Sequence, residues 1–544
     1  MIRLNQVKLP LDHGDDALQQ FVLNKLNISE QQLVDIYIFK RGYDARKRNV
    51  ITLIYSLDIT LKDVDENVIL EHFEKDQNVR ISPDTEYQYV TKAPAQLSER
   101  PIIIGMGPCG LFAGLILAQM GFNPIILERG KSVHERAKDT FRFWRTSKLN
   151  TESNVQFGEG GAGTFSDGKL YSQVKDPGFL GLKVKQEFVA AGAPKEIIYV
   201  SKPHIGTYKL VTMVEKMRRK IIELGGDIRF ETRVEEINIT GEGDNRKISG
   251  VTLNGGEVIN SQHVTLAIGH SARDTVQMLH DKGVLLEAQS FSIGFRIEHK
   301  QEMIDQCRFG INAGHPILGA ADYKLVHHCQ SGRSVYSFCM CPGGVVVAAT
   351  SEEYAVVTNG MSQYSRSERN ANSAIVVGIN PSDFNHDPLQ GIALQRKLER
   401  NAYVMGGSNY DAPAQMVGDF LNAGKGKPFE KVEPSYKPNV KMTDLSDALP
   451  EYAIDAIREA IPAFAKKIRG FDNKDAMLTG VETRTSSPVQ IKRGKDYQSL
   501  NTKGLYPGGE GAGYAGGILS AGIDGIKIAE AVALSMMASL KVDS

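Results

Sequence analysis

With 544 residues, this chain exceeds what one hydrophobic core organises, so two or three domains are expected. Its 64 basic and 64 acidic side chains cancel, so no global field gathers nucleic acid or anionic membrane; 41% hydrophobic content without a spanning run reads as globular. Five cysteines do not make a disulfide scaffold and fit a reducing cytoplasm, and the first residues lack the apolar core of a signal peptide.

From the start of the chain, a strand at Ile2–Leu9 is followed by a helix around Ala17–Leu26, strand-like runs at Val34–Lys40 and Val50–Leu61, and a helix-prone segment at Glu66–Glu74. This spacing predicts a small α/β, ferredoxin-like unit over residues 1–95. The stretch Lys92–Arg100 is polar, with proline and alanine, and reads as a linker. The run Lys40–Arg48 is basic with one aromatic, and reads as a solvated hairpin end rather than a nucleic-acid grip.

At Ile102–Ile104 an apolar strand runs into Gly105-Met106-Gly107-Pro108-Cys109-Gly110 and then an apolar helix. Gly105 permits the turn, Gly107 leaves room for a pyrophosphate, and Gly110 lets helix and sheet approach. A second strand, Pro124–Leu127, ends in Glu128-Arg129, and Glu128 stands where a carboxylate accepts ribose hydroxyls. The chain holds two more glycine triads of this spacing, at Gly158/Gly160/Gly163 and Gly511/Gly513/Gly516, but only the first has the strand, helix and acid-tipped strand that the chemistry requires. Trp144, near Phe141 and Phe143, suits a helix packed over this unit, with an aromatic lid over substrate as the alternative.

Helical patterns follow, the clearest at Tyr208–Leu224, then a strand at Asp227–Arg233, a hairpin at Val251–Leu253 and Val258–Ile259, and a buried strand at Val264–Ile268. From about Phe291 strands with glycine and proline turns dominate, including Ser334–Cys339 and Val345–Thr350. Residues 96–285 are therefore expected as the first part of a dinucleotide domain, 286–495 as an inserted α+β domain, and 496–544 as the return, with a long helix from Ile518 to Met536 aiming its N-terminal amides at the cofactor.

Four segments resemble parts of a glutathione-reductase-type FAD fold: the clamp; Val264-Thr265-Leu266-Ala267-Ile268-Gly269; Gly504-Leu505-Tyr506-Pro507-Gly508-Gly509-Glu510; and the loop Phe157 to Lys169. Taken with Cys339–Gly344, Asn359–Ser362 and Glu482–Pro488, they resemble the uncharacterised FAD-dependent dehydrogenases that carry a small domain before the flavin fold. The resemblance implies a Rossmann-like FAD domain, FAD as cofactor, and contacts from Gly105, Gly107, Pro108, Cys109, Gly110, Glu128 and Arg129 in the clamp. It extends them to Gly158, Gly160, Ala162, Gly163, Thr164 and Ser166 in the loop, to Val234, Ala267, Ile268, Gly269 and His270 in the middle, and to Gly509, Glu510, Gly517 and Ile518 near the end.

The expected activity is oxidoreduction, with hydride passing through flavin N5. A flavin monooxygenase, or a flavin-bound sensor recruiting a partner through residues 1–95, are the alternatives. The substrate is an unidentified small molecule. No second clamp for NAD(P)H is present, so such a donor, or another electron partner, would bind differently. Arg484 is the candidate catalytic cation, able to stabilise a reduced flavin or an acidic substrate, against a surface ion pair. His270 reads as a cofactor contact or a helix cap, and Arg273 as a solvated helix residue or a phosphate contact. Cys339 and Cys341 read as structural rather than as a redox pair, because a C-x-C disulfide is strained and Pro342-Gly343-Gly344 accounts for a turn; with only Cys109 near the first helix, dithiol–disulfide reduction is not expected. No metal site is expected.

Overall fold

The computed structural model describes residues 1–97, 99–422 and 432–542. Ser98 of the expected linker, residues 423–431 of the expected inserted domain, and the last two residues lie outside the described set.

The N-terminal unit runs β1 (Ile2–Pro10), α1 (Ala17–Leu26), β2 (Leu33–Asp44), β3 (Thr52–Leu61), α2 (Glu66–His72) and β4 (Val79–Ile81). Its sheet order is β2-β3-β1-β4 and every pair is antiparallel. One face is dry, with Leu4, Val7, Leu53, Leu57 and Ile59 buried. Most of the basic run is solvated as expected, with Lys40, Arg46, Lys47 and Arg48 exposed, but its start is docked: Arg41 bridges to Val200, its amide donating to the Tyr199 carbonyl at 2.7 Å, and Tyr43 meets Phe309 edge-on.

The cofactor unit begins with β5 (Ile102–Ile104), α3 (Pro108–Gln119), β6 (Ile125–Leu127) and α4 (Val133–Thr146), then α5 (Leu180–Ala190), α6 (Thr207–Glu223) and β7 (Asp227–Arg229). A three-stranded antiparallel flap, β8 (Val234–Thr240), β9 (Lys247–Leu253) and β10 (Val258–Asn260), precedes β11 (Val264–Leu266) and α7 (Arg273–Asp281). Five strands join one parallel sheet that includes a strand from near the end of the chain, taken up below. Strands β5, β6, β11 and that late strand are fully buried because both faces are covered, while the edge strand β7, Asp227-Ile228-Arg229, is only partly buried. Helix α3 likewise buries ten of its twelve residues, from Cys109 to Ala118.

Between β11 and that late strand the chain builds a second body. It contains β12 (Leu286–Ala288), β13 (Phe291–Lys300), α8 (Gln301–Phe309), β14 (Val326–His328), β15 (Ser334–Ala348), β16 (Thr358–Ser362), β17 (Asn370–Ile379) and α9 (Pro388–Met405). It continues through β18 (Ala412–Met416), α10 (Val417–Leu421), β19 (Val440–Met442), α11 (Glu451–Ala465), β20 (Met477–Glu482) and β21 (Val489–Ile491). Eight of these strands form one sheet, β14-β15-β17-β13-β20-β18-β19 with β16 on β15. The chain then returns through β22 (Leu505–Pro507) and α12 (Ile518–Val542), giving the parallel order β22-β11-β5-β6-β7. Helix α12 packs on α3.

Two local expectations are corrected. Cys339–Gly344 is no turn but the bulged middle of the 15-residue β15, whose register against β17 shifts on both sides of Cys341. Trp144 does lie on a helix, but its indole N–H donates to Ala348 O at 2.9 Å, fastening α4 to β15 of the second body.

Candidate functional site

The clamp folds as its glycines require. Gly105 has φ +98°, and a Cβ there would stand 2.4 Å from Ala267 O. At Gly110 a Cβ would lie 2.0 Å from Gly105 O, so that glycine sets helix-to-strand packing and does not face the cavity. Gly107 differs: its Cβ direction meets only Gly161 Cα, at 3.8 Å. Beside this open cradle, the first amides of α3 have no acceptor within the helix and give it positive character.

Glu128, 5% exposed, ends β6 and ties three loops together. One carboxylate oxygen accepts Met106 N–H at 2.8 Å; the other accepts Gly130 N–H at 2.9 Å and Gly158 N–H at 3.0 Å. A carboxylate offers about four acceptor positions, so at most one remains for a ribose hydroxyl. The acid therefore builds the cradle first. Arg129 pairs with Glu152 and Asp274, both at 2.9 Å, and lies over Phe157.

These parts wall a cavity of about 860 Å³. Gly105, Gly107, Pro108, Cys109, Glu128 and Arg129 line it, with Ala162, Gly163, Ser166 and Val234. So do Ala267, Ile268, Gly269, His270, Arg484, Gly509, Glu510, Gly517 and Ile518. Four expected contacts stand behind the wall: Gly110 for the packing reason above, Gly158 because its amide serves Glu128, Gly160 because its amide donates to Met106 O at 2.8 Å, and Thr164, 1% exposed. Glu510 follows β22 by three residues. Burial pushes its carboxyl up to about 8, the negative Cys339 adding to the effect, and no hydrogen-bond donor meets that carboxyl among the described residues.

Arg484 is corrected from a free cation to a committed one. Its guanidinium grips Glu399 at 2.9 Å and 3.1 Å and donates to Ser351 at 2.6 Å and Ser271 at 3.1 Å. Arg273, read as solvated or phosphate-binding, is buried and holds the same Glu399 at 2.6 Å and Glu352 at 2.8 Å. Burial alone would raise the Glu399 carboxyl; the two arginines overcome it and hold the group far below the usual carboxylate range. Next to them burial, reinforced by the same two cations, lowers His270 to about 4, so its imidazole is neutral near pH 7.

The far wall carries Asp167, Lys169, Tyr171, Cys339, Asn359 and Glu482; all but Tyr171 fall in segments the sequence singled out, yet none was read as a site residue. Asp167 pairs with Arg366 at 2.6 Å and Glu482 with the fully buried Arg296 at 3.2 Å. Burial pushes the Glu482 carboxyl up to about 7, with Arg296 opposing. A charge closing an otherwise apolar strand, as Glu482 closes β20, was the available signal. Away from the cavity, His327, Cys329 and Glu459 bring ligand-type atoms within 4.8 Å of one another. That trio is already hydrogen-bonded, His327 to Glu459 at 2.8 Å and Cys329 to Ala456 O at 3.6 Å.

A parallel sheet with a glycine clamp, an acid-tipped second strand and a late return strand beside one cavity defines a dinucleotide-binding α/β protein. Residues 290–485 match the model of the family "FAD-dependent protein, C-terminal domain-like", and residues 1–60 match a domain of unknown function. An uncharacterized protein of Clostridium beijerinckii is 44% identical over 531 residues, covering 97% of this chain and 98% of that protein. The chain belongs to this family of FAD-dependent proteins, and FAD is its cofactor. Among solved structures, CtdE in complex with FAD is 12% identical, covering 81% of this chain and 88% of that one, with a TM-score of 0.30. L-proline dehydrogenase from P. horikoshii is 13% identical, covering 80% and 94%, with a TM-score of 0.31. The residues present fit FAD: an open cradle for a pyrophosphate at Gly107, a donor-free carboxyl at Glu510, and the N-terminus of α12 at Gly517-Ile518 on the cavity wall. No described helix is long and apolar enough to cross a membrane.

Proposed function

We propose that this protein is an FAD-dependent oxidoreductase of glutathione-reductase-type topology, acting on a small molecule between the parallel sheet and the eight-stranded sheet. The observation that carries the reading is the continuity of one cavity, from the clamp at Gly107 to the polar far wall at Lys169 and Glu482. FAD, when bound, supplies a two-electron hydride acceptor or donor at N5. The protein supplies position and electrostatics. In this reading Gly107, Pro108 and Cys109 take the pyrophosphate, Glu128 keeps the cradle in shape, and Glu510 meets the ribityl hydroxyls. Gly517 and Ile518 present the positive end of α12 to the ring.

On the substrate side, Lys169 offers a cation and Glu482, with its raised carboxyl, a proton-transfer group suited to neutral pH. Arg484 acts as a positioning residue through its hold on Glu399. The division at residues 95 and 285, with a ferredoxin-like first unit, is supported by the change of sheet between β4 and β5 and between β11 and β12, whereas the boundary at 495 falls inside a small hairpin in which Arg493 pairs with Ser499. A cytoplasmic setting suits five cysteines carried as free thiols.

The test is the absorption spectrum of the purified protein, followed by anaerobic titration with NADH and NADPH. A flavin spectrum that bleaches on reduction is expected. Protein that stays colourless after incubation with FAD would overturn the reading.

A further inference from the structure

Strand β15 does not run straight past the cavity. Its register against β17 shifts between Phe338 and Cys341 and again between Cys341 and Gly344, and Cys339 sits at φ +44°, a left-handed conformation uncommon outside glycine. In a straight strand residues i and i+2 are about 7 Å apart, at the outer limit for a disulfide. The bulge replaces that spacing and turns the Cys341 thiol back towards Cys339, whose carbonyl it meets. It also separates their surroundings: Cys339 stands in the cavity wall, while Cys341 is fully buried behind it, its thiol 3.4 Å from Cys339 O.

Two cations frame the pair. Arg296, without solvent exposure, donates to Cys339 O at 2.8 Å, and Lys169 reaches in from the glycine-rich loop. The Cys341 thiol, by hydrogen bonding, and these cations hold Cys339 well below the ordinary thiol range, against burial and the Asp167 charge. The same hydrogen bond and burial hold Cys341 far above it. The surroundings therefore favour negative charge on the sulfur that faces the cavity and the proton on the one behind it. That division of labour is what stepwise thiol–disulfide exchange needs, since the thiolate attacks and the neighbour resolves.

We propose that Cys339 and Cys341 form a redox couple that reduces a small-molecule disulfide in the cavity. The Cys339 thiolate attacks one substrate sulfur, forming a Cys339–substrate disulfide as the substrate S–S bond breaks and the first half leaves as thiolate. The Cys341 sulfur then attacks Cys339. Its proton passes to the departing second half, which leaves as thiol, and the Cys339–Cys341 bond closes. The pair loses two electrons and the substrate gains them; a two-electron donor, reduced FAD or an external dithiol, restores the couple. The exchange itself needs no hydride step, so it stands or falls separately from the reading above.

The experiment uses FAD-loaded protein and hydroxyethyl disulfide under anaerobic conditions without reductant, with acid quench, peptide mapping and intact mass. Wild type is expected to lose two hydrogens and yield a Cys339–Cys341 cross-linked peptide. Cys341→Ser is expected to keep one mercaptoethanol adduct on Cys339, and Cys339→Ser to give neither product. Iodoacetamide on unmodified protein, which needs no variant to fold, is expected to label Cys339 before Cys109, Cys329 and Cys341. Free thiols at both positions in wild type, an adduct confined to Cys307, or labelling of Cys339 no faster than of Cys341 would overturn the couple, whatever the flavin spectrum shows.

Discussion

Two alanine substitutions three residues apart, at Gly107 and Gly110, should fail in opposite ways. A methyl at Gly107 meets only Gly161 Cα at 3.8 Å, and φ −73° suits alanine, so Gly107→Ala leaves the FAD-free fold unchanged or stiffens it by about 0.4–1 kcal/mol through the unfolded state. The same methyl occupies the space assigned to the pyrophosphate. Overpacking there costs about 1–3 kcal/mol, which is about 5- to 150-fold in the FAD dissociation constant. At Gly110 the added Cβ would be 2.0 Å from Gly105 O and 3.0 Å from Gly105 C, both backbone, so α3 must retreat from β5 even without ligand. Gly110→Ala therefore costs about 1–3 kcal/mol or more of folding free energy. The assays are the urea midpoint of FAD-stripped protein and fluorescence titration with FAD. Gly107→Ala binding FAD like wild type would refute the placement of the cofactor at that backbone, and an unchanged urea midpoint for Gly110→Ala would refute the packing argument.

Two further outcomes follow from the buried charges. Glu399→Gln leaves Arg273 and Arg484 buried against a neutral partner and should cost about 3–5 kcal/mol in urea unfolding; a loss below about 1 kcal/mol would contradict the ion-pair assignment. For pH, Glu510 and Glu482, raised to about 8 and about 7, hold more protons folded than unfolded above the ordinary carboxyl range, so FAD-free stability should fall as pH rises through neutrality. His270 and His299, both lowered to about 4 chiefly by burial, act oppositely: their contribution is present above the ordinary imidazole range and is lost on acidification towards pH 4. Glu510→Gln should flatten the alkaline limb, at about 1.4 kcal/mol per pKa unit removed; parallel wild-type and variant profiles would refute the assignment.

The near wall was legible in the sequence because its chemistry is local. A turn that needs Gly105, a helix that needs Gly110 and an acid at the end of β6 leave their marks within thirty residues. The far wall was not, because it is assembled from Cys339, Asn359 and Glu482, which meet through the pairing of β15, β16, β17, β13 and β20, and from Lys169 of the glycine-rich loop, distant in sequence from all three. Cys339 shows why: in sequence a Pro-Gly-Gly after two cysteines signals a turn, yet pairing to β16 and β17 keeps the chain in the strand and converts the irregularity into a bulge. Arg484 failed differently. Its neighbourhood was right, but a partner 85 residues away, Glu399, decides what a guanidinium there can do. In the N-terminal unit the helices and first three strands follow their periodicity, while the three-residue β4 is too short to announce itself.

The segment that joins that unit to the rest reads as a tether but is held along its length. Tyr87 donates to Glu530 of α12 at 2.9 Å, Ala93 N–H to Met120 O at 2.8 Å, and Glu99 accepts from Gln262 N–H at 2.8 Å. For anyone engineering the chain, the natural cutting point is therefore a poor one. A shortened protein starting near residue 100 would strip partners from the C-terminal end of α3 and from the middle of α12, the two helices whose N-terminal amides border the cavity. Loss of flavin from such a truncation would report that lost support, not a role of the first unit in catalysis. A cut before Tyr87 keeps the strap and separates the two effects.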